Sequence, residues 1–367
     1  MNNLVFSNFL HRPARTLVSV FGISLGVLLI VFTVGLANGS MRERANREAN
    51  VNAEIFLRPA GAIGLTGSDA FTLRLSKVET AERVSGVKAA VPIGQTMVDA
   101  TDNRTGERLV DGIDFAKYAS IVNVGIVNGR AFSEGSDEAI IDTGFQRQKN
   151  WKIGQTLSMW DRDFKIVGTY EPAAGARVKI SLKTMQKQLG GEDRATAFLI
   201  KVKEGFSDEQ VAANLNEKFP NDRVLLTKNF EELYMNAIPA LGIFLNVIIG
   251  VAAVISALVI LLTMYTTVTE RTRQIGIMKS LGLSNAGIAW IITKEALLIS
   301  FFGIICGVLL TLILRFLLSF VTTLTVDMDW WVISIITLVG LLGGAIGGLY
   351  PALRAARLDA VDALSYE

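Results

Sequence analysis

The stretch LYMNAIPALGIFLNVIIGVAAVISALVILLTMYTTVT, residues 233–269, runs for 37 positions without a charged side chain. A hydrocarbon layer about 30 Å thick needs roughly 20 apolar residues in a helix, so this stretch is long enough to cross a bilayer and continue past it. As one helix, 229–268 would extend for about 60 Å at 1.5 Å per residue. Three more charge-free blocks accompany it, 17–37, 296–314 and 330–353, of 21, 19 and 24 residues. Four membrane-spanning helices are expected. The first block follows His11, Arg12 and Arg15, as a secretory signal would. A signal's apolar region covers only about 7–15 residues and ends in small residues at a cleavage site. This block is longer and leads into Asn38-Gly39-Ser40-Met41-Arg42, so it reads as an anchor that is kept.

Basic residues fix the orientation. Arg12 and Arg15 precede the first block, Arg271, Arg273 and Lys279 lie between the second and third, and Arg354 and Arg357 follow the fourth; the connection 322–329 holds two aspartates and no base. Because cytoplasmic loops carry the excess of Lys and Arg, both termini and the 269–286 loop are expected in the cytoplasm and residues 38–232 outside. The net charge of +2 gives no reason to expect a nucleic acid as partner. Cys306 is the only cysteine and falls in the third block, so the outer domain is expected to fold on its core alone, without disulfides.

The expected fold class is an α-helical membrane protein with four transmembrane helices, plus an extracytoplasmic α+β domain on helical stalks. Residues 1–16 suit a short interfacial helix, with Leu4, Val5, Phe6, Phe9 and Leu10 close to one stripe. Span 1 with its stalk covers 17–50, where Glu43 and Arg47, and Arg44 and Glu48, stand four apart as helical ion pairs do. The outer core covers 51–228, the second stalk and span 229–268, a cytoplasmic helix 269–286, spans 3 and 4 287–321 and 330–353, and a cytoplasmic tail 354–367. Within the core, apolar runs bounded by turn residues predict strands at 53–57, 71–75, 89–92, 139–141, 164–170, 196–202 and 223–227. Helical spacing is clearest at 208–219, behind a Ser207/Gln210 capping box, and weaker at 77–84. The order βαβ early and βαβ late predicts a split α+β subdomain interrupted by an all-β insertion at about 104–190.

Much chemistry is excluded. No Gly-x-x-x-x-Gly-Lys-Ser/Thr loop occurs, so no catalytic residues and no cofactor are assigned to the chain. His11, the single histidine, leaves the outer domain without a Ser-His-Asp or Cys-His device, and no His/Cys metal cluster is present. The outer carboxylates Asp111, Asp114, Asp137 and Glu138 read as solvated turn residues. Glu295 and Arg315 flank the third apolar run and are expected to snorkel toward water. Gly22 and Gly26, Gly343 and Gly347, and Gly344 and Gly348 are each four apart, the spacing that lets membrane helices approach closely.

The cytoplasmic loop reads Glu270-Arg271-Thr272-Arg273-Gln274-Ile275-Gly276-Ile277-Met278-Lys279-Ser280-Leu281-Gly282-Leu283-Ser284. It reads as a short amphipathic helix with Ile275, Met278 and Leu281 on one side. The stretch resembles the E-R-T-R-E-I-G-I-R-K-A-L-G-A-S segment of MacB/FtsX-like ABC transporter permeases, with Gln274 and Met278 in place of a glutamate and an arginine. The ending Gly348-Leu349-Tyr350-Pro351-Ala352-Leu353-Arg354-Ala355-Ala356-Arg357-Leu358-Asp359 is similar to that family's G-x-x-P-A-x-R-A-A-x-x-D. Arg15-Thr16-Leu17 leading to 22–27 resembles its first span, and 128–132, 153–157 and 164–168 resemble its MacB-type periplasmic core.

The resemblance implies that Glu270, Arg271, Arg273, Gln274, Ile275, Gly276, Ile277, Met278, Lys279, Leu281 and Gly282 form a coupling helix that docks on a separate ATPase, which binds ATP and Mg. It implies two ATPase copies and a second permease copy, with a periplasmic adaptor and outer-membrane channel as further partners, in a bacterial inner membrane. Export of an amphiphile, release of lipoproteins and regulation of a cell-wall hydrolase all stay open at this point. The MacB-like outer core favours export, since FtsX regulators usually carry a smaller outer domain.

Overall fold

The computed structural model describes residues 13–60, 71–99, 107–236, 239–321 and 325–357. Residues 1–12 of the expected interfacial helix, with His11 and Arg12, and the tail beyond Arg357 lie outside these residues, while 13–16 open the first long helix. The chain divides into two units: residues 1–39 with 239–320 and 324–367, and residues 40–238 with 321–323.

The first unit is helical. Among the described residues, four helices are long and apolar enough to cross a membrane: α1 (Pro13–Ala49), α8 (Pro239–Glu270), α10 (Asn285–Val321) and α11 (Trp330–Ala356). A short α9 (Thr272–Ser280) joins α8 to α10. The segment expected as one helix over 229–268 is recorded as α7 (Phe230–Asn236) and α8, with 237 and 238 outside the described residues. Proline stands first in α8, where its missing N–H is no loss.

A core of Ile23, Val27, Ile30, Ala252, Ile260, Met264, Ile292, Ala296, Ile299 and Ile336 fills the unit. The outer faces stay apolar: Ile243, Phe244, Val247, Val254 and Leu258 of α8 are all more than half exposed, as side chains facing lipid are. Hydroxyls inside the bundle bond to their own helix or across it. Thr311 donates to the Gly307 carbonyl, and Ser19 and Thr263 meet at 2.8 Å. Such pairing is needed where no water reaches.

The 325–329 connection runs along α1: the Asp327 N–H donates to the Gly35 carbonyl at 2.8 Å, and Thr325 Oγ1 to that of Gly39 at 3.0 Å. A Cβ on Gly39 would lie 1.9 Å from the Thr325 carbonyl oxygen, so only glycine admits this approach. Asp329 then caps α11 through the Trp331 N–H, with Trp330 and Trp331 exposed beside it, the usual residues of a membrane interface.

The second unit is built on one mixed sheet. Its strands are β1 (Ile55–Pro59), β3 (Val87–Asp99), β4 (Glu107–Ile113), β5 (Gly125–Gly129), β6 (Glu138–Asp142), β7 (Thr156–Met159), β8 (Arg162–Glu171), β9 (Val178–Ser181), β11 (Ala197–Val202) and β12 (Asp222–Leu226). They lie in the order β12-β1-β11-β3-β4-β9-β6-β8-β5, with β7 on β8. A separate ribbon pairs β2 (Leu73–Arg74) with β10 (Arg194–Ala195). All pairs are antiparallel except β4 with β9 and β6 with β8.

The first four strands, with helices α2 (Ser76–Glu82) and α6 (Asp208–Lys218), form the split βαβ arrangement, early and late halves interleaved as β12-β1-β11-β3. Ile55, Leu57, Phe198, Ile200, Val211 and Leu215 are its core. Ser207 caps α6 through the Gln210 N–H.

The intervening stretch is not all-β, which corrects that expectation. It holds α3 (Phe115–Ile121), α4 (Thr143–Lys149) and α5 (Leu182–Leu189). Each is seven or eight residues long, too short for a helical period to emerge in a window of about 11–18. Two begin on aspartate caps, Asp114 to the Lys117 N–H and Asp142 to the Phe145 N–H.

A second correction concerns the carboxylates. Asp111 is no turn residue: it points from β4 into the core, 1% exposed. Its Oδ2 lies 2.8 Å from Nζ of the fully buried Lys179 on the parallel neighbour β9. Gln95 Nε2 and the Ala176 N–H also donate to it, and the Lys179 ammonium sits 4.8 and 5.1 Å from the ring centres of Tyr118 and Tyr170. Burial alone would raise the Asp111 carboxyl, but Lys179 and these donors hold it below the usual carboxylate range. Asp137 and Glu138 pair with Arg162 and Arg130, and Asp114 is also 3.8 Å from Lys117.

Candidate functional site

The loop motif folds as α9 and its two caps. Gly282 ends the helix with φ +92°. Its N–H donates to the Lys279 carbonyl at 3.0 Å and that of Leu283 to Met278 at 3.1 Å. These are the paired bonds of a Schellman ending, which favours glycine at that position. Met278 and Leu283 both pack on the bundle core. Ser284 follows as cap of α10, its Oγ accepting from the Gly287 N–H at 3.1 Å.

Contacts within the helical unit then seat α9. Ile275 is 4% exposed and Gly276 is buried beside it. At the front, Nη1 of Arg271 lies 3.4 Å from Oε1 of Glu295 on α10. At the back, Nζ of Lys279 donates to the carbonyl of Ala356, the last residue of α11, at 3.1 Å. Arg354 lies over the ring of Tyr265 on α8 at 4.8 Å, and Pro351 is buried in α11. The loop helix is therefore tied to α8, α10 and α11.

Three residues expected on one side of α9 separate. Steps of three residues turn a helix by about 300°, so Ile275, Met278 and Leu281 drift around the surface. Ile275 faces the core, Met278 is partly buried, and Leu281, already the C-cap, is 80% exposed. The outward face instead presents Arg273, Gln274, Ile277 and Leu281. Glu270 is the last residue of α8 and is exposed; Arg357 caps α11.

Glu295 is 8% exposed and paired, so the snorkelling expectation fails for it. Arg271, two residues beyond the end of an apolar run, brings the counter-charge to the carboxylate instead. Arg315 is exposed.

The glycine pairs face partner helices. A Cβ on Gly22 would lie 3.3 Å from Val259 Cγ1, and one on Gly26 2.9 Å from Ser256 Oγ, both on α8. Gly343 and Gly347 also face α8, with the Ala257 carbonyl oxygen 2.5 Å from a Cβ at 347. Gly344 and Gly348 face Ser300 and Ala296 of α10. Sequence reasoning passed over Gly303 and Gly307, where a Cβ would strike Ile23 and Val27 of α1 at 2.6 Å. Their four-residue spacing was the signal that could have found them.

Residues 16–218 match the MacB-like periplasmic core domain family, and residues 246–360 match the FtsX-like permease C-terminal family. The macrolide export ATP-binding/permease protein MacB of Campylobacter jejuni (strain 81-176) is 25% identical over 99% of this chain and 61% of its own length. The chain thus spans about three-fifths of that relative. The uncharacterized ABC transporter permease YknZ of Bacillus subtilis is 24% identical over 99% of this chain and 98% of its own. Among solved structures, the periplasmic region of MacB from Actinobacillus actinomycetemcomitans is similar over 50% of this chain and 93% of its own, with a TM-score of 0.39 and 13% identity.

Proposed function

This chain belongs to the MacB/FtsX-like family of ABC transporter permeases, and from that premise we propose that α9 is the surface through which an ATPase drives it. The observation that carries the reading is the two-sidedness of α9. One side is fastened to α8, α10 and α11 through Ile275, Arg271 and Lys279. The other offers Ile277 and Leu281, 43% and 80% exposed, on the same outward face as the exposed Arg273 and Gln274. An apolar pair rimmed by polar groups is the usual make-up of a docking patch, and a helix seated this way passes displacement to the spans instead of absorbing it.

In this reading the ATPase binds ATP and Mg, and two copies of it serve a permease dimer. The positive-inside distribution supports a cytoplasmic α9 and an outer 40–236 domain in a bacterial inner membrane. The work done is export of an amphiphilic substrate through the outer domain, with an adaptor and outer-membrane channel where the envelope has two membranes.

The test is Leu281→Asp. A carboxylate placed in the docking patch stays unpaired at a cost of several kcal/mol, so recovery of co-purified ATPase should fall by about tenfold or more, which corresponds to about 1.4 kcal/mol. Val127→Asp, at an exposed position of the edge strand β5, should leave recovery unchanged. Undiminished ATPase recovery with Leu281→Asp would remove the assignment. A cell-wall hydrolase recovered with the complex would replace export by regulation.

A further inference from the structure

Within the outer domain, a cleft of about 700 Å³ opens beside the end of α1, with Arg47, Arg147, Arg177, Glu43, Asp142 and Glu171 among its walls. Three cations and three carboxylates cancel in charge but not in hydrogen bonding. Asp142 has both oxygens in use: Oδ2 accepts from Arg47 Nη2 at 3.0 Å and Oδ1 from the Phe145 N–H at 2.7 Å. Glu43 is engaged by Arg177, and Glu171 accepts from the Thr143 hydroxyl.

The guanidinium groups are less fully used. Arg47 spends its Nε on the Gly175 carbonyl at 2.8 Å and its Nη2 on Asp142. Arg147 uses only its Nε, on the Thr143 carbonyl of its own helix at 3.3 Å. Arg177 uses only Nη2. Among the described residues, no protein acceptor meets the terminal nitrogens of Arg147 or the Nε and Nη1 of Arg177. Burial is the main cause that pushes the Arg177 guanidinium below its ordinary pKa; Arg47 nearby adds to it, and Glu43, Asp142 and Tyr170 oppose it.

A cleft with donors to spare suits a ligand that only accepts. Guanidinium forks match the paired oxygens of carboxylates and phosphates. We propose that this cleft binds one oxyanion group, held by the unused donors of Arg147 and Arg177. The carboxylates on its walls restrict it to a single anionic group and to modest affinity. The inference goes beyond the docking of an ATPase and does not depend on it.

The experiment uses the full chain in a non-ionic, phosphate-free detergent. Inorganic phosphate and hexyl phosphate are titrated at constant ionic strength against chloride, and the phosphorus NMR line width is followed. Saturable broadening is expected, and Arg147→Gln should weaken it by about tenfold, the loss of one charge-assisted hydrogen-bonding group. Arg177→Gln should do the same. If that variant does not fold because Glu43 is left unpaired, Arg147→Gln decides alone, since its side chain is exposed and bonds only its own helix. Arg83→Gln, in a separate groove beside Ser85, should bind as the parent does. Equal affinity for the two probes identifies a free anion as the ligand, and tighter binding of hexyl phosphate identifies the headgroup of an amphiphile. Absence of saturation, or binding undiminished by Arg147→Gln, overturns the proposal.

Discussion

Gly347 in the helical unit and Lys179 in the outer domain are both buried, yet they hold their surroundings together by opposite means. At Gly347 the missing side chain lets α11 come so close that a Cβ would stand 2.5 Å from the Ala257 carbonyl oxygen. At Lys179 a long charged side chain fills the middle of the core, 0% exposed, between two tyrosines and Asp111. Lipid gives apolar side chains no reason to prefer each other, so membrane helices gain from close backbone packing. In water the burial of aliphatic strands supplies the driving force, and a charge is tolerated inside only if it is fully paired. The two units therefore fail under different substitutions.

Lys179→Met should be the most damaging single change. It leaves Asp111 ionised and buried, and breaking such a pair from one side costs about 3–5 kcal/mol. Hydrogen exchange of the β4 and β9 amides should accelerate accordingly. Adding Asp111→Asn should restore part of the loss, because it removes the buried charge while its single amide oxygen can still accept from either Gln95 Nε2 or the Ala176 N–H, which bond separate oxygens of the aspartate. A double variant no better than Lys179→Met would mean that the cation's packing, not its charge, matters. Gly347→Val should cost about 1–3 kcal/mol by overpacking, read as a lower midpoint in detergent unfolding followed by helix content. Its control is Gly250→Ala on α8, where nothing lies within 4 Å of a new Cβ. Equal midpoints for the two variants would show that the helices yield at 347 and would weaken the contrast.

The same difference decided what could be read from the chain beforehand. Spans announce themselves because lipid demands long charge-free runs, and Gly22, Gly26 and the 343–348 glycines carry a spacing with one physical meaning. Asp111 and Lys179 carry no such mark. Each looks like an ordinary surface charge, and only the parallel pairing of β4 with β9, contacts 68 residues apart in sequence, brings them together. Lys179 also interrupts the apolar run that would have revealed β9. In the loop motif, the glycine ending and the serine cap were legible in principle from Gly282 and Ser284. The facing of Leu281 was not, because it depends on where the last turn stops. Glu295 was misjudged because its partner Arg271 lies 24 positions away on the far side of that turn.

The smallest effect expected concerns acid. Arg130 donates to both oxygens of Glu138, and the Ser133 N–H adds a third bond. Led by Arg130, these hold the carboxyl at about 2, below its ordinary 4.5. A carboxylate whose folded pKa is depressed binds its proton more readily in the unfolded chain. The stabilisation is therefore complete above about pH 4.5 and drains away as the pH falls toward 2. Because Arg130 is largely exposed, 57% against 17% for Glu138, solvent screening keeps this contribution small. Asp111 loses its contribution in the same direction, since its carboxyl is also held low. Acid should thus loosen the outer domain through two carboxylates of very different burial. Hydrogen exchange of β6 and β8, measured between pH 5 and 2.5, a window chosen to cover the fall from about 4.5, separates them. Glu138→Gln should remove a small part of the acid-induced acceleration, and Lys179→Met should raise the pH at which the rest begins, because Asp111 then titrates without its partner. An acid response identical in the parent and in Glu138→Gln would assign the acid sensitivity to the buried pair alone.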